Sequence, residues 1–253
     1  MQTLENRTAL VTGGNSGLGR GLVEILVERG ADVTVLARDA GHLDEVRREL
    51  GVGVVQADIT DRNAADEALK KLKPSIVVLS AGYRPKLAPI HEQTWDEFDA
   101  MWSTDVKAGL HWIQAAIGLP LARGSRVLIL SSGAAVAGSP LSGGYAGAKR
   151  MLWLMAHYAN DVSDRLDLGI RFQVLIPRQM IGATERGYEA AQAYGRRRGI
   201  TPEAVLAGFG KAMSPREFGG HVATILTDPA YEKGTAFGLK GDTGITSLDD
   251  PAP

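Results

Sequence analysis

Thr12-Gly13-Gly14-Asn15-Ser16-Gly17-Leu18-Gly19 is the stretch on which the fold of this chain turns. The apolar run Thr8 to Val11 precedes it, and Leu22, Val23, Ile25, Leu26 and Val27 follow at a spacing that fits a helix. A strand, a glycine turn and a helix in that order form the setting in which a dinucleotide fingerprint carries weight. Gly13 permits the tight turn, Gly17 lets the backbone approach a pyrophosphate, and Gly19 lets helix and sheet pack closely. Asn15, Ser16 and Leu18 complete the turn, and the phosphates would face the helix N-terminus, where the dipole favours negative charge. The spacing is Gly-x-x-x-Gly-x-Gly rather than the commoner Gly-x-Gly-x-x-Gly. Taken alone, the loop is equally compatible with a plain glycine turn at a strand end.

Outward from this loop the chain alternates. Strand patterns fall at 8–11, 33–36, 52–56, 76–80, 127–131, 172–176 and around 236–239; helical patterns lie at 18–29, 43–50, 64–72, 95–117, 145–166 and 216–226. Strands alternating with helices indicate crossover units and a parallel sheet buried on both faces. No linker, low-complexity tract or internal repeat divides residues 1–253, so one domain is expected. The long irregular stretch is Arg178 to Ser214, rich in Gly, Ala and Arg.

A second constellation supplies chemistry. Tyr145 and Lys149 stand four residues apart, one helical turn, with Ser132 thirteen residues before the tyrosine. A free phenol titrates near pH ~10, and a fixed cation beside a phenol favours its ionised form. Ser132 can donate a hydrogen bond to the oxygen of a carbonyl or alcohol. Tyr-x-x-x-Lys alone is weak, because any helix can carry it by chance.

Together the motifs are specific. The chain resembles the short-chain dehydrogenases/reductases in their compact single-domain form. The resemblance rests on Thr12 to Gly19, Asp58 after the third strand, Ala81-Gly82 after the fourth, and Ser132, Tyr145 and Lys149, in the expected order over nearly the whole chain. It implies a Rossmann-type, doubly wound α/β sheet of seven parallel strands. It also implies a substrate lid at about 178–214, and a homodimer or homotetramer.

Composition agrees. With 253 residues, 44% hydrophobic and 23% charged, the chain suits one large globular α/β domain. A net charge of −1 leaves no electrostatic footprint for nucleic acid or an anionic membrane surface. The absence of cysteine excludes disulfides, thiol catalysis and thiolate metal sites. The five histidines are scattered without metal-ligand spacing, so no metal is expected. MQTLENRTAL lacks the basic start and apolar core of a signal peptide, and no apolar run reaches membrane-spanning length. The expected compartment is the cytoplasm.

Cofactor choice is read at the end of the second strand. An NAD enzyme commonly ends it with an acidic residue that binds the adenosine ribose hydroxyls. Here the position falls on Ala37, followed by Arg38, whose planar fork suits a phosphate. NADP(H) is therefore expected, with Ser16 adding a hydroxyl to the same phosphate; the alternative is that Arg38 only caps a strand end in solvent. Asp39 could repel the phosphate unless it points away. The resemblance assigns Asp58, with Ile59, to the adenine, although Asp58 also reads as a helix N-cap before Thr60-Asp61. Ser80-Ala81-Gly82 stands where the family has Asn-Ala-Gly beneath the cofactor. Pro177-Arg178 stands for a Pro-Gly near the nicotinamide, with Met180 or Ile181 offering an amide where Gly182 and Thr184 depart from the family pattern.

The most consequential departure is Asp105, in Thr104-Asp105-Val106-Lys107, where the family carries an Asn whose main-chain carbonyl serves a water relay to the lysine. A carboxylate near Lys149 would stabilise the ammonium and partly offset its field at Tyr145, raising the pH optimum relative to Asp105→Asn. The plainer alternative is a mildly altered structural residue. The expected reaction is NADPH-dependent reduction of a ketone or aldehyde, Tyr145 being the acid, Ser132 polarising the oxygen, and Lys149 supporting Tyr145 and the nicotinamide ribose. The alternatives are an NADP-linked alcohol dehydrogenase running in the oxidative direction and a non-catalytic NADP-sensing regulator.

Other features read as structural. Trp95, Phe98, Met101 and Trp102, like Trp153 and His157, are at helical spacing and suit a core or a subunit interface. Arg196-Arg197-Arg198 is either a solvated face or a contact for an anionic substrate. The substrate side should involve Tyr83, Arg84 and the stretch Gly133 to Leu141. Small Gly133, Ala134, Ala135 and Gly138 there leave room for a bulky or cyclic small molecule.

Overall fold

The computed structural model describes residues 3–179, 185–210 and 212–248. Eight strands form one sheet: β1 Thr8–Thr12, β2 Asp32–Ala37, β3 Gly53–Gln56, β4 Ile76–Leu79, β5 Arg126–Leu130, β6 Arg171–Pro177, β7 Ala236–Lys240 and β8 Gly244–Leu248. Their spatial order is β3-β2-β1-β4-β5-β6-β7-β8. The first seven pair in parallel and correspond to the seven expected. β8 is an addition, pairing antiparallel with β7 through a short turn in which Lys240 opposes Gly244. Its lack of an intervening helix and its half-exposed pattern hid it from a search for buried crossover strands.

Helices cover both faces. α1 Gly17–Glu28, α2 Ala40–Leu50 and, late in the chain, Pro215–Thr227 pack on one face, burying Leu22, Leu26, Leu43, Val46, Phe218 and Val222 against Val11, Val35 and Val78. α3 Arg62–Leu72, a rod over 95–118 and a helix over Gly143–Arg165 cover the other, where Leu69, Trp112, Leu152 and Trp153 meet Leu10, Val77, Ile129 and Val174. Alternate β1 residues thus enter opposite cores, as the period of two requires.

The rod expected over 95–117 has internal structure. α4 Trp95–Met101 begins at a capping box, Thr94 with Glu97; a π-helical turn, Trp102–Val106, follows and leads into α5 Lys107–Gly118. Asp105 is the buried residue of the wide turn, on the same face as Met101 four residues before it and Ala108 three after. After the short α6, Ala134–Ala137, comes α7, Gly143–Arg165. The supposedly irregular stretch from 178 to 214 contains two helices, α8 Glu185–Arg198 and α9 Pro202–Ala207, before α10 Pro215–Thr227. The glycines at 187, 195 and 199 obscured α8, yet Glu, Ala, Gln and Arg between them are strong helix formers. Thr201 caps α9, its hydroxyl accepting from the Ala204 N–H, with Pro202 in the first turn.

The aromatic stripe divides. Met101 and Trp153 are buried, whereas Trp95 is 73% exposed and stacks on Phe98 with ring centroids 6.0 Å apart.

α1 and α10 cross with almost no side chain between them. A Cβ built on Gly21 would lie 2.3 Å from the Pro215 carbonyl carbon, and one on Gly219 would lie 2.6 Å from the Gly21 oxygen. Gly21→Ala must push α10 away and should cost about 1–3 kcal/mol of unfolding free energy. Gly118→Ala, with nothing within 4 Å of its Cβ, should be neutral or stabilising by up to about 1 kcal/mol. Urea unfolding of the two variants beside the parent checks both signs.

Candidate active site

Parallel pairing brings the carboxyl ends of β1, β2, β4, β5 and β6 to one edge. Thr12 stands opposite both Leu36 and Leu79, so the glycine turn, Arg38 and Ser80 emerge side by side. β1 lies between β2 and β4, where the strand order reverses, and this is the switch point at which open α/β sheets take ligands. A single cleft of about 1930 Å³ opens there. That exceeds the ~300–1,000 Å³ typical of one small-molecule site and leaves room for a dinucleotide beside a substrate.

The glycine turn is built as its sequence suggests. Gly13 and Gly17 have φ of +67° and +53°, the left-handed region. A Cβ on Gly13 would lie 2.8 Å from the Ala81 backbone, and one on Gly19 would lie 2.3 Å from the Gly13 oxygen. Gly17 differs, because nothing lies within 4 Å of its Cβ position. Ser16 is the N-cap of α1 yet makes no side-chain capping bond, and the first turn of α1 holds no acidic residue. Open backbone, an uncommitted hydroxyl and a helix N-terminus without negative charge fit a dinucleotide pyrophosphate. Thr12 braces this end of the sheet: its buried hydroxyl donates to the Val78 carbonyl at 3.3 Å and accepts the N–H groups of Ser80 at 3.1 Å and Ala81 at 3.3 Å. The sequence alone pointed to Thr12 only as the first letter of the motif.

At the β2 end of the cleft, Arg38 is exposed and lines it. Asp39, which could repel a phosphate there, also borders the cleft, but one of its carboxylate oxygens is committed as the N-cap of α2, accepting the His42 N–H at 2.8 Å. Asp58 does not cap α3; that position belongs to Asp61, which accepts the Asn63 N–H at 2.9 Å. Asp58 instead accepts both the N–H and the hydroxyl of Thr60 at 2.8 Å. The Thr60 N–H holds its carboxyl below the usual carboxylate range. Two α5 side chains steady this loop, Trp112 Nε1 donating to the Ile59 carbonyl at 3.1 Å and His111 Nδ1 lying 3.0 Å from that of Thr60.

At the other end, Ser132, Tyr145 and Lys149 line the same cleft as the glycine turn. Ser132, just past β5, accepts the Ala134 N–H at 3.3 Å. Lys149 Nζ lies 5.6 Å from the centre of the Tyr145 ring and donates to the Leu130 carbonyl at 3.1 Å. Ser131, a residue the sequence gave no reason to choose, donates its hydroxyl to the Lys149 carbonyl at 2.8 Å and fixes α7 against β5. Asp105 Oδ2 is 3.0 Å from Lys149 Nζ; the contact is ionic and lacks the alignment of a hydrogen bond. The two side chains are 1% and 7% exposed. Asp105 Oδ1 accepts the Tyr83 N–H at 2.6 Å. Asp105 therefore sits behind the cleft, against Lys149, rather than in its wall.

Pro177 and Arg178 lie beside the serine loop, the Pro177 carbonyl accepting the Gly133 N–H at 2.8 Å and the Arg178 N–H donating to Leu239. Met180, Ile181, Gly182 and Thr184 are outside the described residues. Gly133, Ala134 and Gly138 line the cleft, whereas Ala135 is buried away from it. Across the opening, Tyr194 of α8 is 2.6 Å from the Ser139 hydroxyl, and Glu189 of α8 pairs with Arg84. Arg196 and Arg198 reach the cleft, with Arg198 over the Tyr194 ring at 5.8 Å, while Arg197 is exposed outside it. No helix among the described residues is long and apolar enough to cross a membrane.

The model of the short chain dehydrogenase family matches residues 7–186. The oxidoreductase asL5 of Sarocladium schorii is 27% identical over 256 aligned residues, covering 98% of this chain and 99% of that protein. The cis-2,3-dihydrobiphenyl-2,3-diol dehydrogenase of Rhodococcus globerulus is 33% identical over 201 residues, 74% of this chain and 70% of its own. Among solved structures, an NAD+-bound xylitol dehydrogenase superposes with a TM-score of 0.81 at 20% identity, over 94% of this chain and 99% of that one. A 3-ketoacyl-(acyl-carrier-protein) reductase of Brucella melitensis complexed with NADH gives 0.74 at 21% identity, over 95% and 99%. These two likenesses concern the fold alone. With the family match spanning most of the chain and the motif residues gathered on one cleft, the protein belongs to the short-chain dehydrogenase family of oxidoreductases.

Proposed function

We propose that the protein is an NADPH-dependent carbonyl reductase that reduces a ketone or aldehyde to an alcohol. The observation that carries the reading is that Ser132, Tyr145 and Lys149 share one cleft with the glycine turn, the lysine lying 5.6 Å from the tyrosine ring. The reduced dinucleotide supplies the hydride when bound. Tyr145 then gives its phenolic proton to the substrate oxygen, while Ser132 donates a hydrogen bond that fixes and polarises it. Lys149 favours the phenolate left behind and offers its ammonium to the nicotinamide ribose.

Gly13, Asn15, Ser16, Gly17, Leu18 and Gly19 would hold the pyrophosphate, Asp58 and Ile59 the adenine, and Ser80, Ala81, Gly82 and Pro177 the nicotinamide half. Preference for NADPH is supported by Arg38 at the end of β2, the free Ser16 hydroxyl and the engagement of Asp39 in the α2 cap. α8 forms the lid on the substrate side, joined across the cleft through Tyr194 and Glu189. Exposed Trp102, Leu110 and Tyr158 on the π turn, α5 and α7 suit a face between copies of the chain in a homodimer or homotetramer. Alcohol oxidation with the same residues is the second reading, favoured by the name of the Rhodococcus relative, a diol dehydrogenase.

Fluorescence titration should give tighter binding of NADPH than of NADH. Arg38→Ala should erase that preference by weakening NADPH about ten- to hundredfold, the worth of roughly 1.5–3 kcal/mol for a hydrogen bond to a charged group. Equal binding of the two cofactors, unchanged in the variant, removes the phosphate role of Arg38. In a panel of ketones and aldehydes followed by loss of NADPH absorbance, Tyr145→Phe should lower turnover by roughly 10²–10⁴-fold while NADPH affinity holds. Full activity in that variant would overturn the assignment of the acid.

A further inference from the structure

One carboxylate oxygen of Asp105 faces the Lys149 ammonium in an ion pair at 3.0 Å, and the other accepts the Tyr83 N–H at 2.6 Å. A carboxylate is acceptor-only, whereas an asparagine amide carries one acceptor and one donor group. An asparagine at 105 must therefore turn its NH2 toward either the ammonium or the Tyr83 amide. There is little room to adjust. A Cβ on Gly82 would lie 2.9 Å from Asp105 Oδ2, and the Ser131 hydroxyl holds the Lys149 carbonyl at 2.8 Å. The next residue after Tyr83, Arg84, pairs with Glu189 of α8. One line of polar contacts thus runs from the lysine through Asp105 and the loop after β4 to the lid.

We infer that Asp105 is a positioning residue: it holds the Lys149 ammonium and the substrate-side loop in one register, and by meeting the ammonium's charge it keeps Tyr145 in the proton-donating form that carbonyl reduction uses. The inference rests on the reading of Tyr145 and Lys149 given above. A cation beside a phenol favours phenolate, and a carboxylate on the far side of that cation opposes the effect. Among the described residues, other ionisable groups bordering this side of the cleft are Tyr145 on α7, Tyr83, Arg84 and Lys86 beyond β4, Glu97 on α4, which pairs with Lys86, Glu189 on α8, which pairs with Arg84, and Arg178 beyond β6. β5 presents the Leu130 carbonyl, while the adjacent Lys107 is exposed and acts on Asp58.

The test is an ultraviolet difference titration of tyrosine ionisation in the parent and in Asp105→Asn, each read against the same chain carrying Tyr145→Phe so that the difference isolates Tyr145. Asp105→Asn should move that step to lower pH by about one unit, a roughly tenfold rise in phenolate at a given pH. Asp105→Ala should speed hydrogen–deuterium exchange of the Tyr83 amide by about tenfold or more, since a charge-assisted bond is lost. A folded Asp105→Asn chain with an unmoved step overturns the inference. If Asp105→Asn alone does not fold, Asp105→Asn with Lys149→Met removes the buried pair without stranding a charge. Its Tyr145 step should then stay within about half a unit of the parent, and a rise of about one unit or more overturns the inference, because the ammonium was then uncompensated. NADPH titration of the same chains separates the two readings: a step that moves in a protein binding no NADPH leaves the coupling intact and sinks the reductase.

Discussion

Lys149 carries a charge to a position where 7% of its side chain is exposed, and the surrounding structure is arranged to meet that charge. An isolated buried ammonium would lose its proton or unsettle the fold, so it must find acceptors. It finds an acceptor in the Leu130 carbonyl at the end of β5 and a counter-charge in the Asp105 carboxylate. The first requires α7 to lie close against β5, which the Ser131 hydroxyl secures. The second requires Asp105 to point inward from the π turn over Trp102–Val106, on the buried face that Met101 and Ala108 continue to either side. Sheet, long helix and irregular turn therefore meet at one ion pair.

The other end of the cleft answers to a different constraint, the approach of a polyanion to backbone. Here the structure removes obstacles. Gly17 leaves space where a side chain would stand, Ser16 keeps its hydroxyl out of capping, and Asp39 commits one carboxylate oxygen to the start of α2. Thr12 ties the two halves together, because one buried hydroxyl satisfies the amides of Ser80 and Ala81 just where β4 ends. The positive pole at one end and the phenol–ammonium pair at the other are joined by the parallel sheet, whose strand ends share an edge.

Much of this was legible in the residues. The alternation of apolar runs with helical patterns gave seven parallel strands and the helices on both faces, since burial on two sides demands continuous apolar strands such as Ile76–Leu79. The eighth strand escaped because a hairpin partner at a sheet edge carries no crossover helix and only half-buried residues. The helices within 178–214 escaped because a stretch rich in glycine shows no regular apolar pattern even where its other residues favour a helix. Asp58 was ambiguous as a cap until Asp61 was found in that place, three positions further along.

The sequence by itself determined the parts that depend on local spacing: the glycine turn, the one-turn separation of Tyr145 and Lys149, the exposed Arg38 after a strand, and the odd carboxylate at 105. Each is a matter of periodicity or of backbone freedom within a few residues. Tertiary structure alone decided which groups that carboxylate meets. The Tyr83 N–H, the Lys149 ammonium and the Leu130 carbonyl come from three separate stretches of chain, and only the packing of α7 and the π turn against the sheet edge puts them within 3.1 Å of their partners. The same holds for the contacts of α8 with Ser139 and Arg84, because bonds between distant segments are set by how helices seat on a sheet and leave no periodic mark in the sequence.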